Sequence, residues 1–182
     1  MELKTAIHTR RALRTLAKVD ITEADVRELA EIAALAASCS NKQPWRFAFA
    51  RSQTTLPGVF ASLSRGNAWA KEASMIVGVW SQPDFDHVTP DGRQYFLFDT
   101  GMAVAHLLLA ATERGLVAHP IAGFDAQLAK QALGLAESAV LITLIVVGGR
   151  SATLPPGLSE AAVASETTRP PRRSFEEFAT VL

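Results

Sequence analysis

The spacing of apolar positions changes several times along the chain, and each change marks an element. Leu3, Ile7, Leu13 and Leu16 fall on roughly one helical stripe, which predicts a first helix over residues 2–17. Thr22 with Asp25 three positions on has the form of a capping box. Behind it, Val26, Leu29, Ala30, Ala33 and Ala37 keep the i, i+3, i+4, i+7, i+11 spacing of a buried helical face. The polar run Ser38-Cys39-Ser40-Asn41-Lys42-Gln43-Pro44 ends that helix. Phe47 and Phe49 then alternate with Arg46, Ala48 and Arg51, the pattern of a strand with one face on a core. Residues 56–63 form a short predicted helix with Pro57 near its start, and Gly66-Asn67 interrupts the pattern. Residues 74–80, SMIVGVW, are a continuous apolar run of strand length, hence an interior strand. Residues 92–114 can form one long helix that stops before Gly115. It is apolar on most sides, which predicts burial all round, in a core or between subunits. A connector with Pro120 and Gly123 leads to a helix near residues 126–133 and a strand over 140–147.

After Gly149 the chain is rich in Pro, Ser, Thr and Arg and too polar for a core of its own, so residues 151–182 read as an extended C-terminal arm of the domain formed by residues 1–150. Helices come first and the strands are spread among them, without strict βαβ alternation. The fold class is therefore α+β, three-layered.

At 182 residues, 48% hydrophobic and 20% charged, the chain suits one globular domain with a real core. Its 18 basic and 18 acidic residues cancel, and there is no basic stripe of the kind nucleic acid demands. The single Cys39 rules out an internal disulfide, and the N-terminus carries no apolar signal core; both point to the cytoplasm. The most apolar stretch, residues 96–111, is broken by Asp99 and His106 and is short for a membrane span.

Three segments could carry chemistry. Arg10, Arg11 and Arg14 have no acidic residue within four positions, and a second basic group, Arg169, Arg172 and Arg173, lies in the arm. Guanidinium forks suit a phosphate monoester, which carries about −1.5 to −2 charges. Taken alone, these residues read first as a solvated basic helix face and a basic tail. The Ser38–Trp45 stretch is dense in short hydrogen-bonding side chains, and an ordinary cap and turn would also explain it. Gly101, inside the long helix, indicates either close helix–helix packing or close approach of a partner backbone or flat ligand. The four histidines show no metal-ligand spacing, and there is no G-x-G-x-x-G.

In order along the chain, these segments resemble the nitroreductase family. Arg10-Arg11-Ala12-Leu13-Arg14 is similar to the family's R-R-S-x-R opening, and residues 37–47, ASCSNKQPWRF, to its P-S-x-x-N-x-Q-P-W-x-F segment. Asp99-Thr100-Gly101 through Gly115-Leu116 resembles its D-x-G-x-A … L-A-A-x-x-x-G-L helix, and residues 120–125, PIAGFD, its P-I-x-G-F-D connector. The strand ending Val146-Val147-Gly148-Gly149 follows, and Arg172 with Glu176-Glu177 resembles the closing R-x-P-L-E-E.

The resemblance implies a central, mostly antiparallel sheet flanked by helices, and a homodimer whose C-terminal arms are exchanged, with FMN at the subunit interface. Arg10 and Arg172 would then hold the FMN phosphate with Arg11 beside them, and Ala12 would line the same site. Arg14 would lie near flavin N1 and the C2 carbonyl, where a cation favours the reduced anion. Ser38, Cys39 and Asn41 would contact the flavin of the other subunit. Asn67 would meet the pyrimidine edge, and the backbone at Pro120, Ala122 and Gly123 the N5 edge.

The implied activity is ping-pong hydride transfer from NAD(P)H through FMN to a nitroaromatic, quinone or similar acceptor, with no acid or base residue. The alternatives within the resemblance are a flavin-fragmenting or reductive dehalogenating member, or a non-catalytic flavin-binding dimer. Ala12 departs from the family serine, a hydrogen bond worth ~0.5–1.5 kcal/mol. Pro170 stands where many members have lysine, which leaves Arg169 or Arg173 to substitute.

Overall fold

The fold is built on one long strand. In the computed structural model, which describes residues 1–182, β5 (Val140–Arg150) pairs antiparallel with three other strands: β3 (Met75–Ser81), β4 (Val117–Ile121) and, at its far end, the two-residue β1 (Leu16–Ala17). β2 (Arg46–Ala50) extends the sheet from β3, so five antiparallel strands run in the order β1-β5-β3-β2 with β4 also on β5.

Strand alternation sends side chains to two cores. Met75, Val77, Val79, Ile145 and Val147 pack under α2 (Glu23–Ala34) and α4 (Tyr95–Glu113). Ile76, Leu144 and Val146 pack with α3 (Leu56–Ala61) and α5 (Ala126–Ala132) on the opposite face. A strand buried on both faces cannot alternate with polar residues, which is why residues 74–80 read as an unbroken apolar run. The expected three-layer α+β architecture is the observed one. α4 is long and apolar enough by length and composition to cross a membrane, but it is the central helix of the second layer, packed on α2 and on the sheet.

Several local expectations are corrected. The first helix, α1 (Leu3–Thr9), ends well short of residue 17: Arg10 has φ −54° and ψ 123°, and the chain runs extended into β1. Leu3 and Ile7 are exposed, whereas Leu13 and Leu16 enter the core, so the apparent stripe was two unrelated patterns joined by chance. Pairing with β5 outweighs local helix propensity here. α2 ends at Ala34, and just past it the chain buries Ala36 and leaves Ala37 exposed. The Pro120 connector is the strand β4, where proline is tolerated because only β5 pairs with it. α4 begins at Tyr95 rather than residue 92, and within one chain its Leu97 and Phe98 are 40% and 58% exposed. A Cβ on Gly101 would meet nothing within 4 Å, so helix–helix packing inside the chain does not explain that glycine.

The arm also differs from a bare extension. It carries α6 (Glu160–Thr167) and the short α7 (Phe175–Phe178), and α6 docks on the N-terminal segment of its own chain. Phe175, Phe178, Val181 and Leu182 stay exposed beyond it.

Candidate functional site

Because residues 10–15 are extended rather than helical, Arg10 and Arg14 are not one turn apart on a helix. They meet by tertiary folding instead. Arg10, Arg11, Ala12 and Arg14 line a cleft of about 420 Å³ whose other wall is the arm: Ser159, Ser165, Arg169, Pro170 and Arg172. The two ends of the sequence thus place five guanidinium groups around one cavity, and no carboxylate lines it.

These cations differ in what they do. Arg11 donates to the carbonyls of Ser165 and Thr167, at the C-terminal end of α6, where the helix dipole favours positive charge. Arg169 donates to the carbonyls of His8 and Arg10 at 2.7 Å each and so ties the arm to the end of α1. Arg173, the other suggested substitute for lysine, pairs with Glu177 on the surface and does not line the cleft. Arg172 has only a long contact to the Pro170 carbonyl, 3.4 Å, and Arg10 has no fixed partner. Burial, then the charges of Arg169 and Arg172, push the Arg10 guanidinium below its ordinary pKa. It remains a cation at neutral pH. The two arginines nominated for a phosphate therefore keep most of their donors free.

Arg14 leads from the cleft to a second group of predicted residues. Its guanidinium lies 5.9 Å from the centroid of the buried Trp69 ring. Trp69 stacks on His119 at 4.8 Å, and His119 Nδ1 bonds to the Leu13 carbonyl at 3.0 Å. Burial, opposed by that bond and aided by Arg14, lowers the His119 pKa, so the ring is neutral near pH 7. Trp69 sits in a 3₁₀ segment, Arg65–Glu72, which kinks at Asn67 with φ −109°. The Asn67 side chain donates to the Gly123 carbonyl at 2.9 Å. Just after β4, the backbone N–H groups of Ala122 and Gly123 donate to nothing in the chain. Pro120, within β4, supplies no N–H and is half-buried.

Ser38, Cys39 and Asn41 do not join this assembly within one chain. They form a tight turn beside the first turns of α4, where Cys39 N–H donates to Asp99 Oδ2 at 2.7 Å. Ser40, Asn41 and Gln43 adopt φ of 48°, 55° and 49°, a left-handed conformation that costs non-glycine residues energy and is often kept at functional sites. The turn is held by Gln43 N–H on Ser38 Oγ at 3.0 Å and by the Gln43 amide on Asn41 Oδ1 at 3.0 Å.

Reading the residues alone overlooked Trp69, His119 and the buried Glu166. Trp69 lies two positions after Asn67 and was open to notice as a lone large aromatic in a polar segment. Nothing in the local pattern marks Glu166.

Comparison with known proteins fits this geometry. The profile of the Nitroreductase family matches residues 7–149. An uncharacterized 15.4 kDa protein of Mycolicibacterium smegmatis is 34% identical over 122 residues, 66% of this chain and 75% of that protein. A protein of Archaeoglobus fulgidus, named as an NADH dehydrogenase/NAD(P)H nitroreductase, is 25% identical over 146 residues, 78% of this chain and 82% of its own. Among solved structures, a nitroreductase from Exiguobacterium sibiricum in complex with FMN superposes with a TM-score of 0.84 at 18% identity, covering 100% of this chain and 98% of that one.

Proposed function

The chain belongs to the nitroreductase family, and from that membership we propose an FMN-dependent, homodimeric oxidoreductase that passes hydride from NAD(P)H to a small nitroaromatic, quinone or similar acceptor. The observation that carries the reading is the cleft itself, in which Arg10, Arg11, Arg14, Arg169 and Arg172 surround a cavity that no carboxylate lines. Such a cavity suits a dianionic phosphate monoester.

The residues present fit FMN. Arg10 and Arg172 would hold the phosphate. Ser165 Oγ does not replace the hydroxyl that Ala12 lacks, since it donates to the Ala162 carbonyl at 2.7 Å and accepts Arg14 Nη1 at 3.4 Å. Arg169 supplies the cation that Pro170 cannot. Asn67 would orient the pyrimidine edge, and the free N–H groups of Ala122 and Gly123 would face N5. Ser38, Cys39 and Asn41, remote from the cleft in one chain, would reach the flavin of the other subunit, and the exposed face of α4 at Phe98 and Gly101 would pack on the twofold axis.

FMN held by these residues would supply hydride transfer from NAD(P)H to the acceptor in ping-pong order. The chain contributes positioning and positive charge, with no acid or base side chain. Cytoplasmic conditions would keep Cys39 reduced.

The test is the purified protein. A yellow dimer that oxidises NADH or NADPH with a nitroaromatic or quinone is expected. A colourless protein that FMN cannot reconstitute would refute the reading, and a bound flavin that neither nicotinamide reduces would leave only the non-catalytic alternative.

A further inference from the structure

Glu166, the last acidic residue of α6, is 4% exposed. Its Oε1 accepts the Arg14 N–H at 2.8 Å, and its Oε2 accepts Thr15 Oγ1 at 2.7 Å and Thr15 N–H at 3.3 Å. The same carboxylate lies 4.0 Å from Arg14 Nη1. It is the one carboxylate paired with any arginine of the cleft, the other ion pairs of the chain lying elsewhere.

The docking of α6 does not by itself call for a charge. The donors that Glu166 satisfies are two backbone amides and a hydroxyl, all neutral, and a glutamine could accept the Arg14 N–H and donate to the Thr15 hydroxyl, giving up only the 3.3 Å bond from the Thr15 N–H. Taking a carboxylate out of water is costly unless a cation balances it. The cation here is Arg14, which on the reading above faces the part of the flavin that becomes negative on reduction.

We propose that Glu166 is a positioning residue that acts through Arg14: it fixes the guanidinium and offsets part of its charge, and so sets the reduction potential of the bound flavin below the value Arg14 alone would give. This rests on the FMN reading. A cation near the flavin favours its reduced, anionic form, and a fixed anion behind that cation weakens the effect.

The experiment is a dye-equilibrated reductive titration of the FMN-loaded dimer, comparing wild type, E166Q, T15V and E166Q in an R14Q background. E166Q is expected to favour the reduced flavin by about tenfold, a positive shift of about 30 mV for a two-electron couple. T15V removes a neutral hydrogen bond from the same carboxylate, so it should lower Tm while leaving the potential in place. In the R14Q background E166Q should shift the potential little. Should E166Q fail to fold, E166D draws the charge back by one methylene and is expected to shift in the same direction by less. An unchanged or negative shift in whichever variant folds, or a shift in T15V equal to that in E166Q, overturns the proposal. A wild-type protein that cannot bind FMN would instead refute the underlying reading.

Discussion

Replacing Gly123 with alanine tests how closely the predicted flavin-facing turn is fitted. Gly123 does not have a left-handed φ, so the backbone would accept any L-residue and only space opposes one. An ideal Cβ would lie 2.6 Å from Asn67 Nδ2 and 2.7 Å from Ser64 Oγ, well inside ordinary contact distance. Both neighbours are also bound to the Gly123 carbonyl, Asn67 through its side chain at 2.9 Å and Ser64 through its N–H at 3.0 Å. To admit a methyl group the Asn67 amide must swing away, which gives up a bond worth about 0.5–1.5 kcal/mol. Overpacking adds about 1–3 kcal/mol where neighbours cannot relax. A loss of about 2 kcal/mol in stability is the expected outcome for G123A, because the Ser64 hydroxyl can rotate while the Asn67 amide cannot. If Asn67 orients the flavin, FMN affinity should fall about tenfold for each 1.4 kcal/mol lost there. Urea melts and FMN fluorescence quenching would be measured for G123A, for N67A/S64A and for the triple variant. With both side chains trimmed, the added methyl group should cost less than about 0.5 kcal/mol, since contacting sites are non-additive. Equal cost in the two backgrounds would show that steric fit is not what the glycine provides.

Three further outcomes follow from the same contacts. Asp99 is buried, and burial, aided by Asp86 and opposed by the Cys39 N–H, holds its pKa above the ordinary carboxylate value. A raised folded pKa means the stability present at low pH is lost as pH rises through that value. D99N, whose amide can donate to the unpartnered Asp86 Oδ2, should therefore flatten urea-melt stability between pH 4 and 8 and add about 1 kcal/mol at pH 8; destabilisation there would count against the argument. His119 has a lowered folded pKa, so its contribution is complete above 6.5, the ordinary value, and is lost as pH falls through the depressed one. H119Q should remove that acid-side slope, and an unaltered slope would assign it to another group. Phe98 on the uncovered face of α4 should be essential to pairing: F98D should sediment as a monomer and lose FMN, and a stable dimer would move the interface elsewhere.

What the sequence disclosed depended on how local the deciding physics was. β3 and β5 were legible because burial on both faces leaves an apolar run that nothing else explains, and α2 because its capping box and its spacing agree. β1 and β4 were not. Each owes its strand conformation to β5, a partner far along the chain, and each carries a local signal for something else, a helical stripe in one case and a proline in the other. The site divided along the same line. Arg10, Arg11, Arg14 and Arg172 could be nominated from residue type and resemblance, and the fold brings all four to one cleft. Their separate duties could not be read, because Arg11 and Arg169 are committed by backbone carbonyls that only the folded arm presents. Glu166 was invisible for the same reason: in sequence it is one acidic residue in a polar tail.

That division of labour bears on why the arm folds back at all. Bringing Arg169 and Arg172 beside Arg10 is unfavourable by charge, and burial together with those two charges depresses the Arg10 pKa. The chain opposes the repulsion with bonds made mostly to backbone groups, which leave Arg10 and Arg172 uncompensated. Arg11 caps the end of α6, Arg169 grips the carbonyls of His8 and Arg10, and Glu166 accepts the amides of residues 14 and 15. Each fastening uses backbone groups that would otherwise need water, so docking satisfies them while Arg10 and Arg172 keep free donors. A tail that merely covered the core would have no reason to concentrate cations in this way. A pocket that must receive a dianion does, because cations already held in place spend no further ordering entropy when the anion arrives, and binding relieves the repulsion stored between them.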